Sequence, residues 1–450
     1  MISPEVPAMP PFDPSKGRAV PSGRLSRLVR LGGLAAGVAG GAVAQGARSL
    51  ARGERPALED LVLTPANLRR VADRLSEMRG AAMKMGQLLS MDAGDLLPPE
   101  MSDILARLRA EATPMPARQL GQVLDAEWGG GWRGRFVDFD TRPIAAASIG
   151  QVHRARLRDG RDLAIKVQYP GVARSIDSDV DNVAGLLRLS GLLPEGLDVE
   201  PLLGEAKRQL HEEADYEAEA RHLSRFAGLL AGDARFRVPD LQADLSTSRV
   251  LAMSFEPGEP IEVLRSAPQE TRSEVARHLL DLALREMFDW GWMQTDPNLA
   301  NFQWDGAAGR IVLLDFGATR EVPASLAELY RGLLRAALAG DRAGAEAALA
   351  AFGLLDERTP PVLRAEALGI FEMAAGEMLG GGPFDFGGND LLSRLRDRGT
   401  ALALDRSGWR VPPAETLWVQ RKLGGLYLLC ARLGALVDLR ALLEPYAGVQ

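Results

Sequence analysis

Lysine is scarce in this 450-residue chain: of 53 basic residues only Lys16, Lys84, Lys166, Lys207 and Lys422 are lysines. Arginine-biased codon use accounts for the general pattern. Against that background a retained lysine points to a position where a compact ammonium serves better than a guanidinium fork. Cysteine is nearly absent as well. Cys430 stands alone, which excludes an internal disulfide and fits a reducing compartment. Four histidines and one cysteine, not clustered, argue against a zinc centre. An excess of positive charge is also missing: the formal net charge is −7, so no nucleic-acid partner is expected. No internal repeat is found. What remains is the composition of a folded protein, 46% hydrophobic and 25% charged, long enough for two or three units with their own cores.

Residues 1–23 are rich in proline and small residues and read as a disordered tail. Residues 31–47, LGGLAAGVAGGAVAQGA, lie inside a segment 24–55. They reach only the lower length limit for a membrane span, with little hydrophobicity. Gly33, Gly37 and Gly41 sit four apart, a spacing that permits close helix–helix approach and hence a homodimer. Arg24, Arg27 and Arg30 precede the segment and Arg48, Arg52 and Arg55 follow it, so charge gives no orientation. Two readings stay open for 24–55, a membrane-associated helix and a helix packed on protein. Thr64-Pro65 is a helix start, and Leu68, Val71, Leu75, Met78, Ala82, Met85 and Leu89 follow helical spacing. Lys84 and Gln87 share the polar face of that helix, within an extension spanning 56–118. Residues 143–169 alternate as strands around an Asp159-Gly160 turn. Helical patterns run from Ser175 to Leu193 and from Pro201 to Leu230, followed by extended segments near Val250. Glu256-Pro-Gly-Glu-Pro260 reads as a hinge, and the chain beyond it is mostly helical, with loops near 294–301, 315–320 and 380–390. This order suggests an α+β, bilobal architecture: a sheet-bearing lobe at 119–256 with a helical insert, then a helical lobe at 257–450.

The chemistry concentrates in Gln294-Thr-Asp-Pro-Asn-Leu-Ala-Asn301 and Ile311-Val-Leu-Leu-Asp-Phe-Gly317. Phosphoryl transfer from a nucleotide is mostly positioning and charge neutralisation. It calls for carboxylates on magnesium, an amide oxygen on the ions, a lysine on the α- and β-phosphates and an acidic group near the nucleophile. Asp296 and Asn301 are five apart, as in a kinase catalytic loop. Asp315 follows an apolar run, and Lys166 ends an Ala-Ile-Lys strand. Each piece alone is common in unrelated chains; their order and intervals together specify a kinase-like nucleotide site. Where a kinase has glycines over the phosphates, however, this chain has Ala145, Ala146, Ala147 and Ser148.

These motifs resemble the UbiB-type atypical protein-kinase-like family, which supports ubiquinone (coenzyme Q) synthesis. The likeness covers nearly all of the chain after residue 24. It includes Lys84-Met-Gly-Gln87, Ala145-Ala-Ala-Ser-Ile-Gly-Gln-Val152, Ala164-Ile-Lys-Val-Gln-Tyr-Pro-Gly171 and Glu213-Ala-Asp215-Tyr216. It continues through Met293-Gln-Thr-Asp-Pro-Asn298, Leu313-Leu-Asp-Phe-Gly-Ala-Thr-Arg320, Pro383-Phe-Asp-Phe-Gly387 and Arg421-Lys-Leu-Gly-Gly425. It is closest to the branch of the mitochondrial coenzyme Q assembly kinase. The bacterial branch with two C-terminal membrane helices fits less well, since nothing after residue 425 is long and apolar enough to span.

The resemblance implies a bilobal protein-kinase-like fold with a family-specific N-terminal helical extension, binding ATP or ADP with Mg2+. It implies that Lys166 pairs with the phosphates and with Glu219, that Asn301 and Asp315 hold metal, and that Asp296 takes the catalytic position. Glu213 and Asp215 would meet Lys84 and Gln87, bringing those two into the site where a protein kinase admits its peptide. Apart from the resemblance, the alanine loop with Ser148 is expected to tune the choice of nucleotide, since alanine resists positive φ. The alternative is that Ala145, Ala146 and Ala147 are small strand-end residues packed under the Lys84 helix. The kinase histidine before Asp296 is absent, Thr295 standing at the neighbouring position, so the loop needs support from elsewhere. The expected function is an atypical kinase or ATPase acting in ubiquinone biosynthesis or related lipid handling. A protein or small-molecule kinase and a nucleotide-gated scaffold are the alternatives. Expected partners are a lipid or quinone-precursor ligand, quinone-biosynthesis proteins and a membrane surface. The expected location is the bacterial cytoplasm, peripheral to or shallowly anchored at the inner membrane.

Overall fold

The computed structural model describes residues 114–189, 200–404 and 414–448. The tail, the small-residue segment and the helix carrying Lys84 and Gln87 lie outside the described residues. The described residues divide into two compact units, one of 114–224 with Asp240–Phe255 and one of Arg225–Pro239 with 256–448.

The first unit is built on an antiparallel sheet. Helix α1 (Ala117–Trp128) leads into β1 (Phe136–Phe139), β2 (Ala145–Ala146), β3 (Gly150–Leu157) and β4 (Asp162–Gln168). Gly160, at φ +95°, makes the β3–β4 turn that the Asp159-Gly160 pair implies. Three helices follow, α2 (Ile176–Leu189), α3 (Glu200–Glu213) and α4 (Tyr216–Leu229). The chain then leaves for β5 (Phe236–Arg237) in the second unit and returns as β6 (Val250–Ser254). Strand order is β1-β3-β4-β6, with β2 also pairing β3. The two-residue period of β4 sends Leu163, Ile165 and Val167 into a core with Leu120, Leu124, Trp132, Phe136 and Val250. Lys166 and Gln168 therefore point to the opposite face. The helical pattern read over 201–230 is two helices. The break falls at Ala214 and Asp215, where the Asp215 carboxylate accepts from Ala218 N–H at 2.8 Å and starts α4 afresh.

The second unit mixes small sheets with a helical core. Strand β7 (Glu259–Pro260) precedes α5 (Gln269–Arg285), which runs into a π-helical turn, Glu286–Trp290. Then come β8 (Trp292–Gln294), β9 (Phe302–Asp305), β10 (Arg310–Leu313) and β11 (Thr319–Glu321). Helices α6 (Ala324–Ala339), α7 (Arg342–Ala351), α8 (Pro361–Leu379) and α9 (Leu391–Leu404) follow, with β12 (Phe384–Asp385) between the last two. The unit ends with α10 (Ala414–Leu433), β13 (Leu436–Val437) and α11 (Leu439–Leu443). One sheet runs β5-β10-β9-β7, and β8 pairs with β11. Met287, Met293, Val322, Trp418 and Val419 form a core beneath those strands. A second core gathers Leu379, Phe384, Phe386 and Cys430. Asp233 pairs with Arg235 and Arg285, and Arg235 with Asp281, fastening the segment before β5 to α5. Among the described residues, no helix is long and apolar enough to cross a membrane.

Candidate functional site

In the first unit, the site is the polar face of β4 under α4. Lys166 Nζ donates to Glu219 Oε1 at 2.8 Å and to Oε2 at 2.9 Å. Both side chains are buried, Glu219 being 1% exposed. The ammonium lies 5.2 Å from the centroid of the Tyr216 ring, one turn before Glu219 on α4, so ring and carboxylate hold it from two sides. Gln168 Nε2 donates to Ala214 O at 2.7 Å, fixing the start of α4 to the same strand. Gly150 completes the contact: a Cβ there would sit 2.5 Å from Val167 O and 2.8 Å from the Tyr216 hydroxyl. Only glycine lets β3 approach this closely. Ala145 and Ala146 form β2, opposite Val152 and Gln151, and Ala147 N–H donates to Gly150 O at 2.9 Å. Glu213 ends α3 and Asp215 caps α4. Their expected meeting with Lys84 and Gln87 involves residues outside the described ones.

In the second unit, two antiparallel strand pairs hold the carboxylates. Strands β9 and β10 pair Phe302 with Leu313, and Leu314 N–H donates to Asn301 O at 3.0 Å. That register brings the end of the Asp296–Asn301 loop beside the backbone of Asp315. Asn301 Nδ2 donates to Asp296 Oδ2 at 3.2 Å and to Asp296 O at 3.3 Å. With its nitrogen so committed, the amide oxygen is the atom left for another partner. Asp315 Oδ1 accepts from Gly317 N–H at 3.0 Å, setting the carboxylate at the head of its turn. Phe316 is buried against Phe226, with centroids 4.9 Å apart. Strands β8 and β11 pair Gln294 with Thr319. Thr295 then donates from both N–H and Oγ1 to Ala318 O, each at 2.8 Å. This pair of hydrogen bonds ties the loop to the Asp315 turn where a kinase histidine is lacking.

Among the described residues there is no group of three or more His, Cys, Asp or Glu side chains that could hold a metal ion. The donors present are two carboxylates and an amide. Magnesium is ordinarily held by one or two carboxylates together with phosphate oxygens and water, so the set fits Mg2+ carried on a nucleotide. Several residues that shape these two groups show no role in the sequence alone. Tyr216, Gly150 and Lys422 appeared within motifs but without a role, and Glu286 gave no signal. Lysine scarcity and the Arg421–Gly425 motif both mark Lys422, and neither gives it a role.

The ABC1 atypical kinase-like domain matches residues 107–349. The Saccharomyces cerevisiae protein named "Atypical kinase COQ8, mitochondrial" is 39% identical over 428 residues, covering 94% of this chain and 85% of that one. The rat "Atypical kinase COQ8B, mitochondrial" is 39% identical over 437 residues, covering 96% and 82%. Among solved structures, the Rv3197–erythromycin complex from Mycobacterium tuberculosis matches with a TM-score of 0.58 and 28% identity, over 83% of this chain and 93% of that one. These relatives correct one expectation. A bacterial cytoplasmic protein at the inner membrane is overturned by matches to mitochondrial proteins of eukaryotes. The features behind that expectation, a lone cysteine and a small-residue segment with arginines on both sides, do not distinguish the two compartments. With the α+β kinase-like architecture and its motifs in place, the chain belongs to the ABC1, or UbiB-type, atypical kinase-like family, in the branch of the mitochondrial coenzyme Q assembly kinases.

Proposed function

We propose that this protein is a magnesium-nucleotide-dependent, kinase-like ATPase that supports ubiquinone synthesis or related lipid handling. The observation that carries the reading is the hairpin register that sets Asn301 beside Asp315, with the Asn301 nitrogen turned to Asp296. Lys166, charged and oriented by Glu219, binds the α- and β-phosphates of ATP or ADP. Asp315 and the Asn301 oxygen take the metal. When bound, magnesium neutralises the charge on the phosphate oxygens. Asp296 orients the incoming hydroxyl or water and receives its proton. Glu213, Asp215, Lys84 and Gln87 are assigned here, through the resemblance, to the entrance of the same site. Partners are a lipid or quinone precursor and proteins of quinone synthesis. A protein or small-molecule kinase is the second reading, favoured by retention of Asp296 in its loop.

The test of the site is Asp315→Asn, which exchanges a charged oxygen ligand for a neutral amide. Thermal stabilisation by Mg-ATP should vanish in this variant; undiminished stabilisation removes Asp315 from the site. Phosphate release measured beside transfer of labelled phosphate separates the two readings. Release without transfer to protein or small-molecule acceptors supports the ATPase, and transfer at the rate of release supports the kinase.

A further inference from the structure

Helix α10 carries Lys422 and Gly425 three residues apart, on one face. The Lys422 ammonium donates to Gln294 Oε1 at 3.1 Å and lies 3.6 Å from Glu286 Oε2. Gln294 N–H in turn points to Glu286 Oε1 at 3.4 Å, and the Phe302 ring centroid is 5.7 Å from the ammonium. One turn further along α10, the Pro297 ring rests on the bare backbone of Gly425. A Cβ at Gly425 would lie 2.1 Å from Pro297 Cβ and 2.6 Å from its Cγ. At the neighbouring Gly424 a Cβ would meet nothing within 4 Å. These contacts bracket the loop at Gln294, at Pro297 next to Asp296, and at Phe302 next to Asn301.

We propose that this face of α10 sets the catalytic loop, with Lys422 and Gly425 as positioning residues for Asp296 and Asn301. The inference rests on the reading of that loop proposed above. A purely structural role accounts poorly for the arrangement. Lys422 is 2% exposed, Glu286 1% and Gln294 5%, and a well-packed apolar trio generally does as well or better for stability than a buried ion pair. Glu286 Oε2 and Gln294 Nε2 also lack hydrogen-bond partners, so the cluster is not a fully satisfied network. Burial pushes the Glu286 carboxyl up to about 7 even though Lys422 opposes the rise. What the cluster does supply is direction: a compact ammonium aimed at the residue two before Asp296, in a chain with five lysines.

The test uses the full-length chain. Lys422→Met should lower kcat for phosphate release at least tenfold and weaken Mg-ADP binding through the displaced Asn301, while leaving the affinity for metal-free ADP within twofold. Glu286→Gln/Lys422→Met removes both charges; it should regain the melting temperature of the unmodified protein but not its kcat. Hydrogen exchange provides a readout that needs neither turnover nor the lysine variants. Amides 295–301 should exchange at least tenfold faster in Gly425→Ala and at the unmodified rate in Gly424→Ala. Recovery of kcat in the double variant, or equal exchange in the two glycine variants, overturns the positioning role. An Asp315→Asn protein that still binds Mg-ADP overturns the site reading, and this inference with it.

Discussion

At Ala147 the chain leaves β2 and turns toward β3, held by one hydrogen bond to Gly150 O. No non-glycine residue among those described has positive φ, so the three alanines carry none of the left-handed penalty of roughly 1 kcal/mol or more. The backbone here is a short extended pair rather than an open, glycine-lined loop. Alanine therefore costs nothing in this shape and resists leaving it. Replacing Ala147 with glycine returns conformational freedom worth about 0.4–1 kcal/mol. Ala147→Gly is expected to raise ATP affinity relative to ADP several-fold and to expose autophosphorylation. An unchanged affinity ratio together with no phosphate incorporation would make the alanines simple packing residues. The residue scale also marks where sequence stops speaking. Lys166 could be found because its strand surrounds it, and it pairs with Glu219. The role of Lys422 could not, because its partners Gln294 and Glu286 lie more than a hundred residues away and only the fold unites them.

Helix α4 shows the same division at the level of an element. Its apolar spacing was legible, but the break before it was not, since Ala214 and Asp215 interrupt a pattern that otherwise runs on. Asp215 caps α4, and Glu219 on the first turn of that helix holds Lys166. Losing the cap should cost about 1 kcal/mol. Asp215→Ala is expected to lower the melting temperature, and Asp215→Ser, which keeps a capping oxygen, to restore it. If the carboxylate also serves the entrance of the site, Asp215→Ser stays deficient in phosphate release although its stability returns. Full activity in the serine variant would reduce Asp215 to a cap. The small sheets of the second unit leave no mark in the sequence pattern, which shows helices and loops there. Strands of two to four residues, such as β5, β7 and β8, are too short to display a period. Their pairing is settled by tertiary contacts, yet it is β9 and β10 that bring Asn301 to Asp315.

Across the whole molecule, the two units respond to pH in opposite directions. In the first, His153 is fully buried, its Nδ1 hydrogen-bonded to Asp140 O and its Nε2 to the Gln151 amide, each at 2.8 Å. The carbonyl requires Nδ1 to donate, so Nε2 accepts from the amide, and a protonated ring would face that amide donor with no acceptor. Burial lowers His153 from 6.5 to about 4. The unfolded chain thus binds a proton that the folded one refuses, and stability falls as pH drops from 6.5 to 4, by on the order of 3 kcal/mol at most. In the second unit, the acid window is shallow down to about pH 4. Below that, protonation of Asp233, whose carboxyl Arg235 and Arg285 hold well below the usual carboxylate range, costs stability. Burial raises Glu286 to about 7 and also raises Asp289, which favours the fold as they protonate. His278, lowered by burial, works against them. The alkaline side reverses the order. Burial raises Tyr330, Tyr427 and Tyr446 and pushes Cys430 up to about 12, all in the second unit. Above pH 9 to 10 the unfolded chain releases those protons first, so this unit loses stability as pH climbs. Hydrogen exchange across a urea series should show peptides from 150–168 losing protection first at pH 4.5, and peptides from 418–433 first at pH 10. Loss in the same order at both pH values would mean that neither the buried imidazole nor the buried phenols and thiol govern how the protein fails.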